Sequence, residues 1–156
     1  MDHGPFERLL ADLSRADVRY LVVGGVACVL NGFVRTTEDV DLLVDAEPGN
    51  LRRLLGVLAG FGEGHASELR VEDFSDEEGA VRLVEEFPVD LFTRMGGRRY
   101  ADMLPYRAIR AGDPPIPYVD AKGLILLKGN SPRPQDRIDV EALRRLSPPG
   151  SGSEGR

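Results

Sequence analysis

The sequence predicts a mixed α/β (α+β) domain in which a mixed β-sheet is flanked by helices. Helix-like and strand-like patterns alternate from the N-terminus to Gly60, and shorter apolar runs typical of strands follow. The 156 residues contain no repeat at a fixed period and no internal linker, and their 42% apolar content is enough to bury a core. We therefore expect one domain over residues 1–146.

The first half of the chain predicts three helices and two strands. Apolar residues recur at helical spacing from Phe6 to Leu13, whereas the segment 19–23 is aromatic and β-branched and runs into Gly24 and Gly25. Pro48 suits the start of a helix and Gly60 its end. The predicted elements are, in order, a helix over 5–16, a strand over 19–23, a helix over 26–31, a strand over 39–44 and a helix over 48–60.

The middle of the chain predicts short strands. The runs 69–74 and 81–84, separated by an acidic segment that we expect to form a solvated hairpin tip, predict a hairpin. The run 87–92 predicts a further strand. Short extended pieces are expected at 106–110 and 116–118.

Two more helices are expected near the C-terminus. Asp120 can cap a helix that runs through Leu127, and Pro134 can start a last helix whose apolar stripe is Ile138, Ala142 and Leu146. Residues 147–156 lack an apolar side chain with which to form a core, so we expect them to be disordered.

Composition narrows the class of protein. A net charge of −6 argues against a protein whose whole surface is positively charged. The single cysteine, Cys28, cannot form an internal disulfide and is expected to be a small core residue. The N-terminus lacks the apolar core of a signal peptide, and no apolar run approaches the roughly 20 residues of a membrane-spanning helix. The sequence therefore predicts a soluble, cytoplasmic protein without a membrane partner.

Two closely spaced aspartates are the first candidate functional residues. Asp39 and Asp41 are separated by one residue, so on a strand they point to the same face while Val40 and Leu42 point to the core. Like charges held this close repel, unless a cation lies between them. Carboxylate oxygens on one face suit Mg²⁺. An Asp-x-Asp pair is also common at a solvated strand end, so the spacing alone leaves both interpretations open.

A double glycine upstream is the second candidate feature. Gly24 and Gly25 stand where the first strand meets a helix, and residues without side chains allow a ligand to approach backbone N–H groups. A triphosphate is one ligand that such a junction can hold. Double glycines are also frequent in ordinary turns.

The combination of these features resembles the signature of the nucleotidyltransferase superfamily, to which DNA polymerase β belongs. The match comprises Gly24-Gly25, thirteen intervening residues, Asp39-Val40-Asp41 and the later Val89-Asp90-Leu91. The resemblance implies that Asp39 and Asp41 bind two Mg²⁺ (or Mn²⁺) ions and that Asp90 binds the ion that activates the acceptor hydroxyl. It also implies a nucleoside triphosphate as donor, with Asp90 as a candidate base.

Further motifs are similar to those of small stand-alone bacterial nucleotidyltransferases, which are related to the toxin half of abortive-infection type IV toxin–antitoxin pairs. These motifs are the segment 35–42, the segment 126–128 and the segment 133–136. The resemblance implies a separately encoded antitoxin or helical partner. Position in the chain makes three residues candidates for nucleotide contacts: Lys128, whose ammonium can extend from the end of an apolar helix towards the triphosphate, and Arg35 and Thr36, which precede the acidic strand. The chain departs from the pattern at Gly25, where relatives often have serine, and at Gln135, where they often have lysine.

Alternatives remain open at several of these positions. Lys128 is equally compatible with an ordinary helix-end cation, and Arg35 with an ion pair to Glu38. Arg98, Arg99 and Tyr100, with Arg94 and Arg107 nearby, form a basic cluster. This cluster is compatible both with a positive rim for an RNA acceptor and with an ordinary solvated helix. The acceptor itself, whether RNA or tRNA, a protein or a small molecule, is not defined by the sequence. A non-catalytic nucleotide-binding or partner-binding module of the same fold is the competing functional hypothesis.

Overall fold

The computed structural model describes residues 5–146, and the predicted disordered tail, 147–156, lies outside the described residues. The described part contains six α-helices, three short 3-10 turns and six strands. The helices are α1 (Pro5–Arg15), α2 (Gly24–Leu30), α3 (Pro48–Ala59), α4 (Tyr100–Met103), α5 (Ala121–Lys128) and α6 (Pro134–Leu146). The strands are β1 (Tyr20–Val23), β2 (Val40–Val44), β3 (Val81–Val84), β4 (Pro88–Phe92), β5 (Arg107–Arg110) and β6 (Ile116–Val119).

The strands form one mixed sheet in the order β3-β4-β2-β1-β6-β5. The pairs β2·β4 and β1·β6 are parallel, whereas β1·β2, β3·β4 and β5·β6 are antiparallel. The central strands carry the most apolar sequences, and all four residues of β1 are buried. The predicted fold class, a mixed sheet flanked by helices, is confirmed.

Local signals set several helix ends as predicted. Glu47 accepts hydrogen bonds from the backbone N–H groups of Gly49 and Asn50 at the start of α3, and Pro48 occupies the first turn. The Asp120 carboxylate accepts from Gly123 N at 2.9 Å and caps α5. Cys28 is fully buried in the core, as expected.

The predicted hairpin between 69–74 and 81–84 is wrong. Val71–Asp73 is a single 3-10 turn, and the actual hairpin pairs β3 with β4. The Asp73 carboxylate accepts a hydrogen bond from Arg70 N at 2.8 Å. This local bond gives the backbone an alternative to strand pairing and closes the turn.

The buried face of α6 also differs from the prediction. Ile138 and Leu146, expected in the apolar stripe, are 55% and 46% exposed. The face that packs inward carries Asp136, Asp139, Val140 and Leu143. Two buried carboxylates are tolerated here because basic side chains from α5 and from the segment before β2 neutralise them, as described below.

No helix within residues 5–146 is long and apolar enough to cross a membrane.

Candidate metal centre

The three predicted aspartates converge on one face of the sheet. Asp41 on β2 and Asp90 on β4 are directly paired in the parallel register, and Asp39 immediately precedes β2. One carboxylate oxygen from each residue lies within 4.8 Å of those of the other two. Residues 49 positions apart in sequence therefore form one acidic cluster, because β2 and β4 are neighbours in the sheet.

Strand alternation orients the first pair. Val40 and Leu42 are fully buried in the core, so Asp39 and Asp41 share the opposite face. On β4, Val89 and Leu91 are buried in the same way on either side of Asp90. The apolar neighbours thus fix the direction of all three carboxylates.

Asp41 is the electrostatically strained member of the cluster. Burial, together with the negative charges of Asp39 and Asp90, raises its pKa to about 7, although the positive charge of Lys128 opposes this shift. A divalent cation would reverse the effect, since it makes the ionised carboxylates mutually favourable. Three hard oxygen donors on one face, one of them with a raised pKa, fit Mg²⁺ or Mn²⁺.

The two glycines have different surroundings. Gly24 begins α2 with a positive φ of 68° and lies directly against the Asp41 carboxylate. Gly25 is packed by side chains instead, because a Cβ there would lie 2.8 Å from Thr37 Cγ2 and 2.9 Å from Arg35 Nη2. Gly24 lines the cavity beside the acidic cluster, whereas Gly25 supports the segment that precedes β2.

A cavity of about 430 Å³ opens beside Asp41. It is lined by Gly24, by the segment around Met95 and Gly96, by α5 and by the start of α6. Its basic side chains are Arg98, Lys128 and Arg133. The lining also includes the carboxylates of Glu78 and Asp136, so the cavity offers both basic and acidic groups beside Asp41. Such a mixed lining suits a ligand that bears both a metal ion and phosphates.

Lys128 is fixed at the wall of this cavity by two aspartates of α6. Its Nζ donates to Asp136 Oδ1 and Asp139 Oδ2, both at 3.0 Å. Burial lowers the pKa of Lys128, but these two hydrogen bonds outweigh it, and the net direction is upward. Two of the three ammonium hydrogens are used in this way, which leaves one for a ligand.

Arg35 and Gln135, for which the sequence suggested other roles, also contact Asp139. Together with Lys128, Asp136 and Asp139 they form what we call the Lys128 network. Arg35 Nε lies 3.1 Å from Asp139 Oδ1, so this guanidinium pairs with Asp139 and not with Glu38. Gln135 Nε2 donates to Asp139 Oδ1 at 2.9 Å. Thr36 is exposed, and its carbonyl oxygen accepts from Arg35 Nη1 at 3.0 Å. The fully buried carboxylate of Asp139 is thus contacted by Lys128, Arg35 and Gln135.

Arg82 is a site residue that the sequence did not reveal. It is the antiparallel register partner of Asp90 across β3 and β4. Its Nε and Nη2 donate to the two oxygens of Asp90, each at 2.9 Å, and Nη2 also reaches Asp39 Oδ2 at 3.3 Å. In the sequence, Arg82 is an ordinary polar position of the strand Val81–Val84, and only strand pairing places it on the acidic cluster.

The acidic residues of the segment 73–78 are exposed, as expected, but they do not form a hairpin tip. Asp76 accepts hydrogen bonds from both Arg94 and Arg99, and these guanidinium groups lower the pKa of Asp76 to about 2. Glu78 accepts from the backbone N–H groups of Gly96 and Gly97, at 3.0 and 2.7 Å. The segment is thereby tied to the rim of the cavity, and two arginines of the basic cluster are neutralised.

Comparison with known proteins supports the fold. The chain matches no protein-family model and shows no significant similarity to a curated protein sequence. Among solved structures it is similar to the crystal structure of a "putative nucleotidyltransferase (TM1012)" from Thermotoga maritima, with a TM-score of 0.56 and 17% sequence identity. The match covers 91% of this chain and 89% of that one. The chain therefore has a nucleotidyltransferase-like fold.

Proposed function

We propose that this protein is a metal-dependent nucleotidyltransferase that moves a nucleoside monophosphate from a triphosphate to a hydroxyl acceptor. The observation that carries the proposal is the meeting of Asp39, Asp41 and Asp90 within 4.8 Å on a fold of this type. Burial, together with repulsion from Asp39 and Asp90, raises the pKa of Asp41, although Arg82 already pairs with those two carboxylates. A divalent cation would relieve this repulsion.

In this proposal the three aspartates hold Mg²⁺ or Mn²⁺. Bound divalent ions would supply charge neutralisation at the α-phosphate and the leaving pyrophosphate. Asp90 is the most buried of the three, and its carboxylate is a candidate to accept the proton of the acceptor hydroxyl. Gly24 leaves room for Asp41, and Lys128, which keeps one N–H for a ligand, lines the cavity in which we place the triphosphate.

We further propose that the protein belongs with the small stand-alone nucleotidyltransferases related to type IV toxins. The motifs at 35–42, 126–128 and 133–136 support this placement. The acceptor would then be RNA or tRNA, a protein or a small molecule, and an antitoxin or helical partner is expected. The pairing of Arg94 and Arg99 with Asp76 removes part of the positive rim that an RNA acceptor would use.

Labelling of cell components tests the proposal directly. The protein is incubated with each α-³²P-labelled triphosphate, a cell lysate and Mg²⁺ or Mn²⁺, and the labelled product is separated into RNA, protein and small-molecule fractions. We expect one fraction to be labelled by the wild type and not by Asp41→Asn. Asp12→Asn, on the surface of α1, is the matched control and should retain labelling.

Two outcomes would contradict the proposal. Equal labelling by wild type and Asp41→Asn would remove the acidic cluster from the chemistry. No labelling by any triphosphate, together with a nucleotide-dependent rise in Tm, would instead favour a non-catalytic nucleotide-binding module.

A further inference from the structure

We propose that Arg82 competes with the divalent cation for Asp39 and Asp90, and so makes cation binding at the acidic cluster dependent on a bound nucleotide. The inference rests on the proposed function, because it assumes that the cluster binds a metal–nucleotide complex. It assigns to Arg82 a role in setting metal affinity that no sequence motif predicts.

The competition follows from the atoms that Arg82 contacts. Its guanidinium uses both oxygens of Asp90 and one oxygen of Asp39, all within 3.3 Å. A cation held by the same two carboxylates needs lone pairs of these oxygens and would be repelled by the guanidinium charge. A bidentate guanidinium–carboxylate pair is among the stronger charge-assisted contacts, so its displacement opposes cation binding.

Arg82 is free to move when it is displaced. It lies on β3, which is an edge strand of the sheet, and about half of its side chain is exposed. The other cations near the cluster are held differently. Lys128 and Arg35 pair with Asp139, which is fully buried, so their release would leave a buried charge without a partner.

A nucleotide changes the balance in two ways. Its phosphates add ligands to the cation, and in this proposal they also offer the released guanidinium a new anionic partner. A cation alone offers neither compensation. Arg82 therefore makes cation and nucleotide bind cooperatively, and removing its charge should strengthen binding of the cation alone while weakening the cooperativity.

The test is a set of Mn²⁺ titrations, followed by electron paramagnetic resonance of the free ion, with and without a non-hydrolysable ATP analogue. The proteins are the wild type, Arg82→Gln, Arg82→Lys and the control Arg99→Gln. Arg99 is a matched control because it has a similar exposure, loses the same charge and pairs with Asp76 instead of the cluster. The side chains of Arg82 and Arg99 are both about half exposed, so all three variants should fold.

We expect Arg82→Gln to bind Mn²⁺ alone about tenfold more tightly than the wild type, which corresponds to about 1.4 kcal/mol. The ATP analogue should then tighten Mn²⁺ binding less in this variant than in the wild type, by about the same factor, because in the ternary complex Arg82 has already left the carboxylates and no longer opposes the cation. Arg82→Lys should lie between the two, since an ammonium keeps the charge but not the bidentate contact. Arg99→Gln should match the wild type.

Three results would overturn the inference. If Arg82→Gln binds Mn²⁺ no more tightly than Arg99→Gln while the wild type transfers nucleotides, Arg82 does not compete with the cation and the proposed function stands. If Arg82→Gln binds Mn²⁺ more weakly, Arg82 supports the site and does not oppose the cation. If none of the four proteins binds Mn²⁺ with or without the analogue, the metal-dependent function fails together with this inference.

Discussion

Gly24 and Asp41 are in direct contact, and the contact requires that residue 24 have no side chain. A Cβ at this position would overlap the Asp41 carboxylate and lie 2.8 Å from its Cγ. The positive φ of Gly24, 68°, is in addition a conformation that side-chain-bearing residues rarely adopt. The double glycine and the acidic pair, separated in sequence, are therefore two parts of one site.

The substitution Gly24→Ala should disable the site. The new methyl group must displace Asp41, so we expect loss of Mn²⁺ binding and of nucleotide transfer. The strained backbone should also lower the free energy of unfolding by about 1–3 kcal/mol, measured by urea denaturation. Gly56→Ala is the matched control. A Cβ at Gly56 in α3 meets no atom within 4 Å, so this variant should be at least as stable as the wild type. Full Mn²⁺ binding by Gly24→Ala would contradict the close contact.

The substitution Asp41→Asn should separate stability from activity. The pKa of Asp41 is raised from 3.8 to about 7 in the folded protein, so the folded state binds more protons than the unfolded state between these values. The free energy of unfolding of the wild type therefore falls as pH rises from about 4 to 7. Without divalent ions, Asp41→Asn should be more stable than the wild type at pH 8 by about 1–2 kcal/mol, or roughly 3–6 °C in Tm. The difference should disappear near pH 4. A lower Tm for the variant at pH 8 would show that the ionised carboxylate is favourable.

Metal affinity should depend on pH through the same residue. A cation binds ionised Asp41, so binding below pH 7 must release a proton. Isothermal titration with Mn²⁺ should show affinity rising by nearly tenfold per pH unit below about pH 7 and levelling above it. Repeating the titration in buffers of different ionisation enthalpy measures the released proton. A constant affinity between pH 5.5 and 8 would exclude Asp41 as the titrating ligand.

Lys128 should contribute to the free energy of unfolding of the protein as well as to nucleotide binding. The substitution Lys128→Met leaves the buried Asp139 and the mostly buried Asp136 with fewer partners. We expect a loss of about 3–5 kcal/mol in the free energy of unfolding. Lys122→Met, at an exposed position of the same helix, is the control and should change stability by less than about 0.5 kcal/mol. If both variants unfold at the same urea concentration, the Lys128 network contributes nothing to the fold.

Patterns that act over a few residues were sufficient for much of the fold. The alternation of Val40 and Leu42 with Asp39 and Asp41 predicted which face the carboxylates occupy, and Pro48 and Gly60 predicted the limits of a helix. These signals are local, because strand direction and helix capping depend on neighbours in the chain. The same reasoning failed at residues 69–74, where a hydrogen bond between Asp73 and Arg70 N closes a turn that the apolar pattern does not encode.

The sequence by itself determined the fold class and the candidate residues Gly24, Asp39, Asp41 and Asp90. The tertiary structure alone decided that Arg82 pairs with Asp90, and that α6 buries Asp139 while Ile138 faces solvent. The physical reason is that a charge is tolerated inside a protein only where a partner meets it. The partners of Asp139 and Asp90 come from other elements of the chain, and packing and strand register bring them together.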